Sequence, residues 1–199
     1  MSKTDSAPAL LDSQAWDVLL KAHTDFHAEV SPAYDEVLLE VSERIRSSGD
    51  IGKADIGALL FWKRLRADTR WVRDLMVMAD SEVRGVTSGA VAAVNEISLD
   101  LAAAAAEGRS ALSALPGFVR GDALASALLT AAAPERMAVY DRRAQAGLAK
   151  LGLSLSARRG RYGRYMAIIE SLVATAEHHG KSWSARDVDL ALYSLGGQP

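Results

Sequence analysis

The chain has 199 residues, is 49% hydrophobic and carries a formal net charge of −2, enough for one domain or two small lobes around one core. It holds no cysteine, which excludes disulfides, thiol nucleophiles and a cysteine-ligated iron–sulfur cluster. The near-neutral balance argues against a nonspecific nucleic-acid coat but leaves room for a local basic face.

Residues 1–11 read as a disordered or loosely packed tail, without the charged-then-apolar layout of a signal peptide. Asp12 or Ser13 can cap a helix to about Val30, with Trp16, Leu19, Leu20, His23 and Phe26 near helical spacing. Ser31-Pro32 starts a second helix to about Ser47, striped by Val37, Leu38, Val41 and Ile45. A third spans Lys53 to Leu65 through Ile56, Leu59, Leu60 and Trp62. A fourth starts at Asp68 or Thr69 and carries Trp71, Leu75, Met76 and Met78. A fifth starts near Ser81 or Glu82 and runs to Ser98 or breaks at Gly85 and Gly89. A sixth, Asp100 to Glu107, is almost pure alanine.

Ser110 to Ala114 reads as a short helix followed by Leu115-Pro116-Gly117, a helix stop and turn. Gly121 to Ala133 is its partner, with Leu124, Leu128 and Leu129 on the buried face, and Pro134 ends it. The apolar run Met137 to Tyr140 leads into Asp141, Arg142 and Arg143. A helix follows over Arg142 to Leu151, then a loop to Gly163. An amphipathic helix covers Tyr165 to His179, and Gly180 closes it. Ser184 caps a last helix, Ala185 to Leu195, and the final Gly-Gly-Gln-Pro reads as frayed. No strand alternation and no fixed-period repeat stand out. The expected fold is all-α, with roughly nine or ten helices and residues 12–199 as one domain. No stretch reads as a membrane span, and a soluble cytoplasmic monomer is expected.

Leu115-Pro116-Gly117, the second glycine at Gly121 and the aspartate twenty residues beyond it, Asp141, resemble the signature of the helix-hairpin-helix DNA glycosylase superfamily. Phe61-Trp62-Lys63-Arg64, the Tyr140-Asp141-Arg142-Arg143 run and Arg186-Asp187-Val188-Asp189 are similar to its 8-oxoguanine glycosylase-fold branch. The resemblance implies two helical lobes with a flipped base between them, DNA as partner, and a monovalent cation at the hairpin (residues 110–133). It implies Asp141 as the catalytic carboxylate. Two departures stand out. The hairpin Gly117-Phe118-Val119-Arg120-Gly121 is two residues longer than the family's Gly-x-Gly. Ala123 stands where bifunctional members carry a nucleophilic lysine, so a monofunctional enzyme is expected.

Carboxylates suit this chemistry because breaking an N-glycosidic bond builds an oxocarbenium-like sugar. Asp141 would stabilise it or activate water; its bland reading is a cap for the helix at Arg142. Gly117, Val119 and Gly121 would offer backbone N–H groups to phosphate, with Arg120 adding charge. From Arg142 to Tyr165 there are seven basic residues and no acidic one. Arg142, Arg143, Arg158, Arg159, Arg161 and Arg164, interleaved with Tyr162 and Tyr165, fit phosphate binding with stacking. Trp62 or Trp71 could face a flipped base, although core packing is commoner. Lys63 reads as a surface lysine, or as a substitute amine nucleophile. His23 and His27 share a helix face, but two ligands do not make a site, and no catalytic metal is expected. The expectation is therefore a monofunctional glycosylase acting on a damaged or modified base, such as an oxidised purine. The alternative is a non-catalytic DNA-binding or protein-interaction module on the same fold.

Overall fold

The computed structural model describes residues 10–197. Among them are ten α-helices and no strand: α1 (Ser13–Glu29), α2 (Glu36–Ser48), α3 (Lys53–Trp62), α4 (Arg70–Met76), α5 (Asp80–Asn95), α6 (Leu101–Ala111), α7 (Ala123–Ala132), α8 (Arg142–Lys150), α9 (Arg161–His178) and α10 (Ala185–Gly197). The all-α expectation holds. No helix among the described residues is long and apolar enough to cross a membrane.

The helix starts follow local chemistry. Asp12 accepts from the Ala15 N–H at 2.8 Å and Asp100 from the Ala103 N–H at 2.6 Å, each quenching an orphan donor of a first turn. Short 3-10 turns, Pro32–Asp35 and Leu112–Ala114, lead into α2 and out of α6.

Of the two alternatives for α5 the unbroken one holds: it runs through Gly85 and Gly89 to Asn95, because Val83, Thr87, Ala90, Val91 and Val94 bury a continuous stripe. Three expectations need correction. Ser110 and Ala111 finish α6 rather than starting a separate helix, so the whole of α6 leads into the hairpin. α9 begins at Arg161, taking Tyr162 and Gly163 out of the expected loop. Gly196 and Gly197 lie within α10 rather than fraying. Of the expected N-terminal tail, residues 1–9 lie outside the described residues, as do Gln198 and Pro199. Leu11 packs on the core, and its N–H donates to Thr175 Oγ1 at 3.3 Å.

α7 is the centre of one group of helices. Leu124 through Ala131 are all buried, as befits a helix of small and apolar residues with no polar face. α2, α3, α5 and α6 pack around it. A second group gathers on α10, which packs against α8, α1 and α9, and the α6–α9 contact joins the two. One apolar core runs through both.

α8 and α10 meet backbone to backbone. A Cβ on Gly147 would lie 2.5 Å from the Leu192 carbonyl oxygen, and one on Gly196 would strike the Arg143 carbonyl. Gly147→Ala is expected to cost about 1–3 kcal/mol, as overpacking against rigid backbone does. The urea unfolding midpoint should fall with an unchanged slope.

Candidate active site where the third and eighth helices meet

The segment Met137–Tyr140 is buried and belongs to no helix, with no neighbouring strand to pair with among the described residues. The Met137 N–H donates to the Ala133 carbonyl at 2.9 Å, and most of the remaining polar backbone is satisfied by side chains. The Tyr140 N–H donates to Ser126 Oγ of α7 at 2.9 Å. Tyr162 Oη donates to the Ala138 carbonyl at 2.9 Å, and Tyr165 Oη to the Val139 carbonyl at 3.1 Å. Both tyrosines are fully buried. They are core residues that hold this segment, not the exposed stacking platform that the basic run suggested.

The segment delivers Asp141 to the start of α8. Oδ1 accepts the N–H groups of Arg143 at 2.9 Å and Ala144 at 3.0 Å, so the residue is a cap. Oδ2 lies 2.6 Å from Lys63 Nζ. Lys63, just past the end of α3, is no surface lysine. Its side chain is 9% exposed and that of Asp141 19%. Burial pushes the Asp141 carboxyl up. The Lys63 charge, its hydrogen bond and the two cap bonds outweigh that and hold it below the ordinary carboxylate range.

A second set of charges adjoins the pair. Arg186 of α10 donates to both carboxylate oxygens of Asp35, at 2.8 and 2.7 Å, and also pairs with Asp189. Asp189 is buried, which pushes its carboxyl up despite the opposing charges of Arg186 and Lys63. The Lys63 ammonium and the Arg186 guanidinium lie 5.4 and 5.5 Å from the Trp62 ring centroid. Trp62 is therefore buried beneath cations rather than offered as a free stacking face. Its Nε1 and the Tyr140 hydroxyl, chain neighbours of Lys63 and Asp141, are buried without a hydrogen-bond partner.

Arg64 follows Lys63 in the left-handed region at φ 52°. The Arg64 N–H bonds the Phe61 carbonyl and the Leu65 N–H the Leu60 carbonyl, a helix stop usually built on glycine. A side chain there costs about 1–3 kcal/mol of strain, a pattern common beside functional groups.

The hairpin forms with Gly117 at φ +86° and Gly121 at φ +84°. The Trp71 ring occupies the space where a Gly117 Cβ would sit, and Phe118 meets that ring edge-on, so Trp71 supports the hairpin. Val119 is 71% exposed and Arg120 is exposed. Asp122 does not cap α7. Its carboxylate is held by Arg109 at 3.0 Å and Arg161 at 2.8 Å.

The basic run divides. Arg142, Arg158 and Arg159 are exposed. Arg143 rests 4.4 Å from the Tyr193 ring centroid. Arg161 is engaged by Asp122 and lies over Tyr140, and Arg164 donates to the carbonyls of Ser156, Arg158 and Arg159. The last two shape the hairpin and the loop rather than project from them.

Comparison with family models, characterised proteins and solved structures finds no match.

Because the folded Asp141 carboxyl lies below its unfolded value, the pair stabilises the protein above the ordinary carboxylate range. That contribution is lost as pH falls through the folded value. In Lys63→Met the attraction goes while burial and the two cap bonds remain, so Asp141 should titrate higher than in the parent. Carboxyl ¹³C NMR titration of both proteins checks the rise.

Proposed function

We propose that this protein is a DNA glycosylase-like hydrolase that removes a damaged or modified base from DNA at Asp141. The observation that carries the reading is the Lys63–Asp141 pair, set at a helix start twenty residues beyond the second hairpin glycine. Three features support it. Lys63 comes from the helix group around α7 and Asp141 from the group around α10, so the pair sits where a base held between two lobes would arrive. The unpartnered Trp62 Nε1 and Tyr140 hydroxyl offer polar contacts beside it. The exposed Val119, Arg120, Arg142, Arg158 and Arg159 supply backbone and charge for phosphate.

In this mechanism the N-glycosidic bond breaks with its electron pair leaving on the base. The ionised Asp141 stabilises the sugar cation and takes a proton from the water that bonds to C1′. The Lys63 ammonium, paired with Asp141, would protonate the departing base. The position of Lys63 also favours a second reading, in which Asp141 takes a proton from Lys63, the free amine bonds to C1′ as the base departs with the glycosidic electron pair, and opening of the C1′–O4′ bond gives a Schiff base that leads to strand cleavage. A non-catalytic DNA-binding module is the remaining alternative.

The test is base release from duplexes bearing a panel of oxidised, alkylated and deaminated bases. Breaks that appear only after alkali are the expected result. Asp141→Asn should lower release by at least about 100-fold while retaining DNA binding. A covalent adduct trapped by borohydride, and lost in Lys63→Gln, would select the Schiff-base route. Salt-sensitive binding without release from any substrate would leave only the binding module.

A further inference from the structure

His23 and His27 lie one turn apart on α1, and their Nε2 atoms approach to 3.2 Å. Asp187, in the first turn of α10 and 164 positions away from His23 in sequence, brings Oδ1 to 3.3 Å from His23 Nε2. The three atoms lie within 4.8 Å of one another. A tetrahedral zinc ion with bonds of about 2.0–2.1 Å sets its ligand atoms roughly 3.3–3.4 Å apart. Two of the three separations match the edge of that tetrahedron.

Hydrogen bonding accounts for this convergence poorly. One proton on His23 Nε2 faces both the Asp187 oxygen and the His27 nitrogen, and cannot point along both lines. A cation at the centre would satisfy all three lone pairs. The surroundings are also built to hold the ligands. The Asp187 Oδ2 atom accepts from the Ser184 N–H at 2.8 Å and hydroxyl at 2.7 Å, which leaves Oδ1 turned to the histidines. The Trp183 ring stacks on His23, with centroids 4.5 Å apart and planes at 28°. Partners that orient ligands in this way are a regular part of metal sites.

We infer that His23, His27 and Asp187 form a binding site for a zinc-class divalent transition metal that ties α1 to α10. Two imidazoles and one carboxylate select zinc, nickel or copper over magnesium and calcium. His27 is exposed, so the fourth coordination position opens to water. The site is independent of Asp141 and its chemistry. Its effect is mechanical, because α10 also carries Arg186 and Asp189.

The test uses tag-free protein stripped with a chelator and titrated with Zn²⁺ against a chromophoric competitor. One equivalent should bind, and Zn²⁺ but not Mg²⁺ should raise the thermal midpoint. His27→Gln, at an exposed position that leaves the fold intact, and Asp187→Asn should each weaken binding at least about tenfold. His178→Gln, an exposed histidine elsewhere, should bind as the parent does. Failure to bind one equivalent, parent-like binding by His27→Gln, or equal weakening by His178→Gln would each overturn the site.

Discussion

Charge withdrawn from water has to be paired, and that requirement governs the region where α3, α8 and α10 converge. Lys63, Asp141, Asp35, Arg186 and Asp189 are all largely removed from solvent, and each has an opposite charge in contact. Removing one member of such a set leaves its partner as an uncompensated buried ion, a penalty of about 3–5 kcal/mol. The helices must therefore keep their register. α3 must end where its lysine reaches Asp141, and α10 must present Arg186 to Asp35 and Asp189 together. This geometry limits how far the helix ends can drift without loss of stability.

The same demand applies to the uncharged backbone leading into the site. A non-helical segment inside a helical protein has no ladder to join, so its carbonyls need other donors. Tyr162 and Tyr165 supply them from α9, Ser126 of α7 accepts the Tyr140 N–H, and the Ala133 carbonyl accepts the Met137 N–H. Asp141 is thus placed by three contacts from two helices on either side, before its own cap bonds are counted. Asp122, pinned between Arg109 and Arg161, ties the hairpin to that framework.

Much of this was legible in the sequence. Helical spacing, the caps at Asp12 and Asp141, and the glycine at position 180 marked most boundaries, because each acts within one turn. Lys63 carried a signal that the general rarity of buried lysine obscured. It continues the buried stripe of Ile56, Leu59 and Leu60 at helical spacing. What remained hidden was long-range pairing. The partner of Lys63 lies 78 positions away, and the third member of the His23–His27 cluster 164 positions from His23. Periodicity reports which face of a helix is buried, not which helix covers it. Tyr162 and Tyr165 misled for a related reason. Aromatics set among arginines have the composition of a binding surface, but an α9 that starts at Arg161 turns them inward.

The glycine contact between α8 and α10 bears on motion. Helices separated by side chains can slide when rotamers readjust, whereas backbone resting on backbone has no such slack. α8, with Asp141 at its head, and α10, with Arg186, therefore behave as one rigid jaw. Any change of shape beside Asp141 has to come from the opposite side. There the chain past Lys63 is bent through an arginine in the left-handed region, a conformation that releases strain when it relaxes.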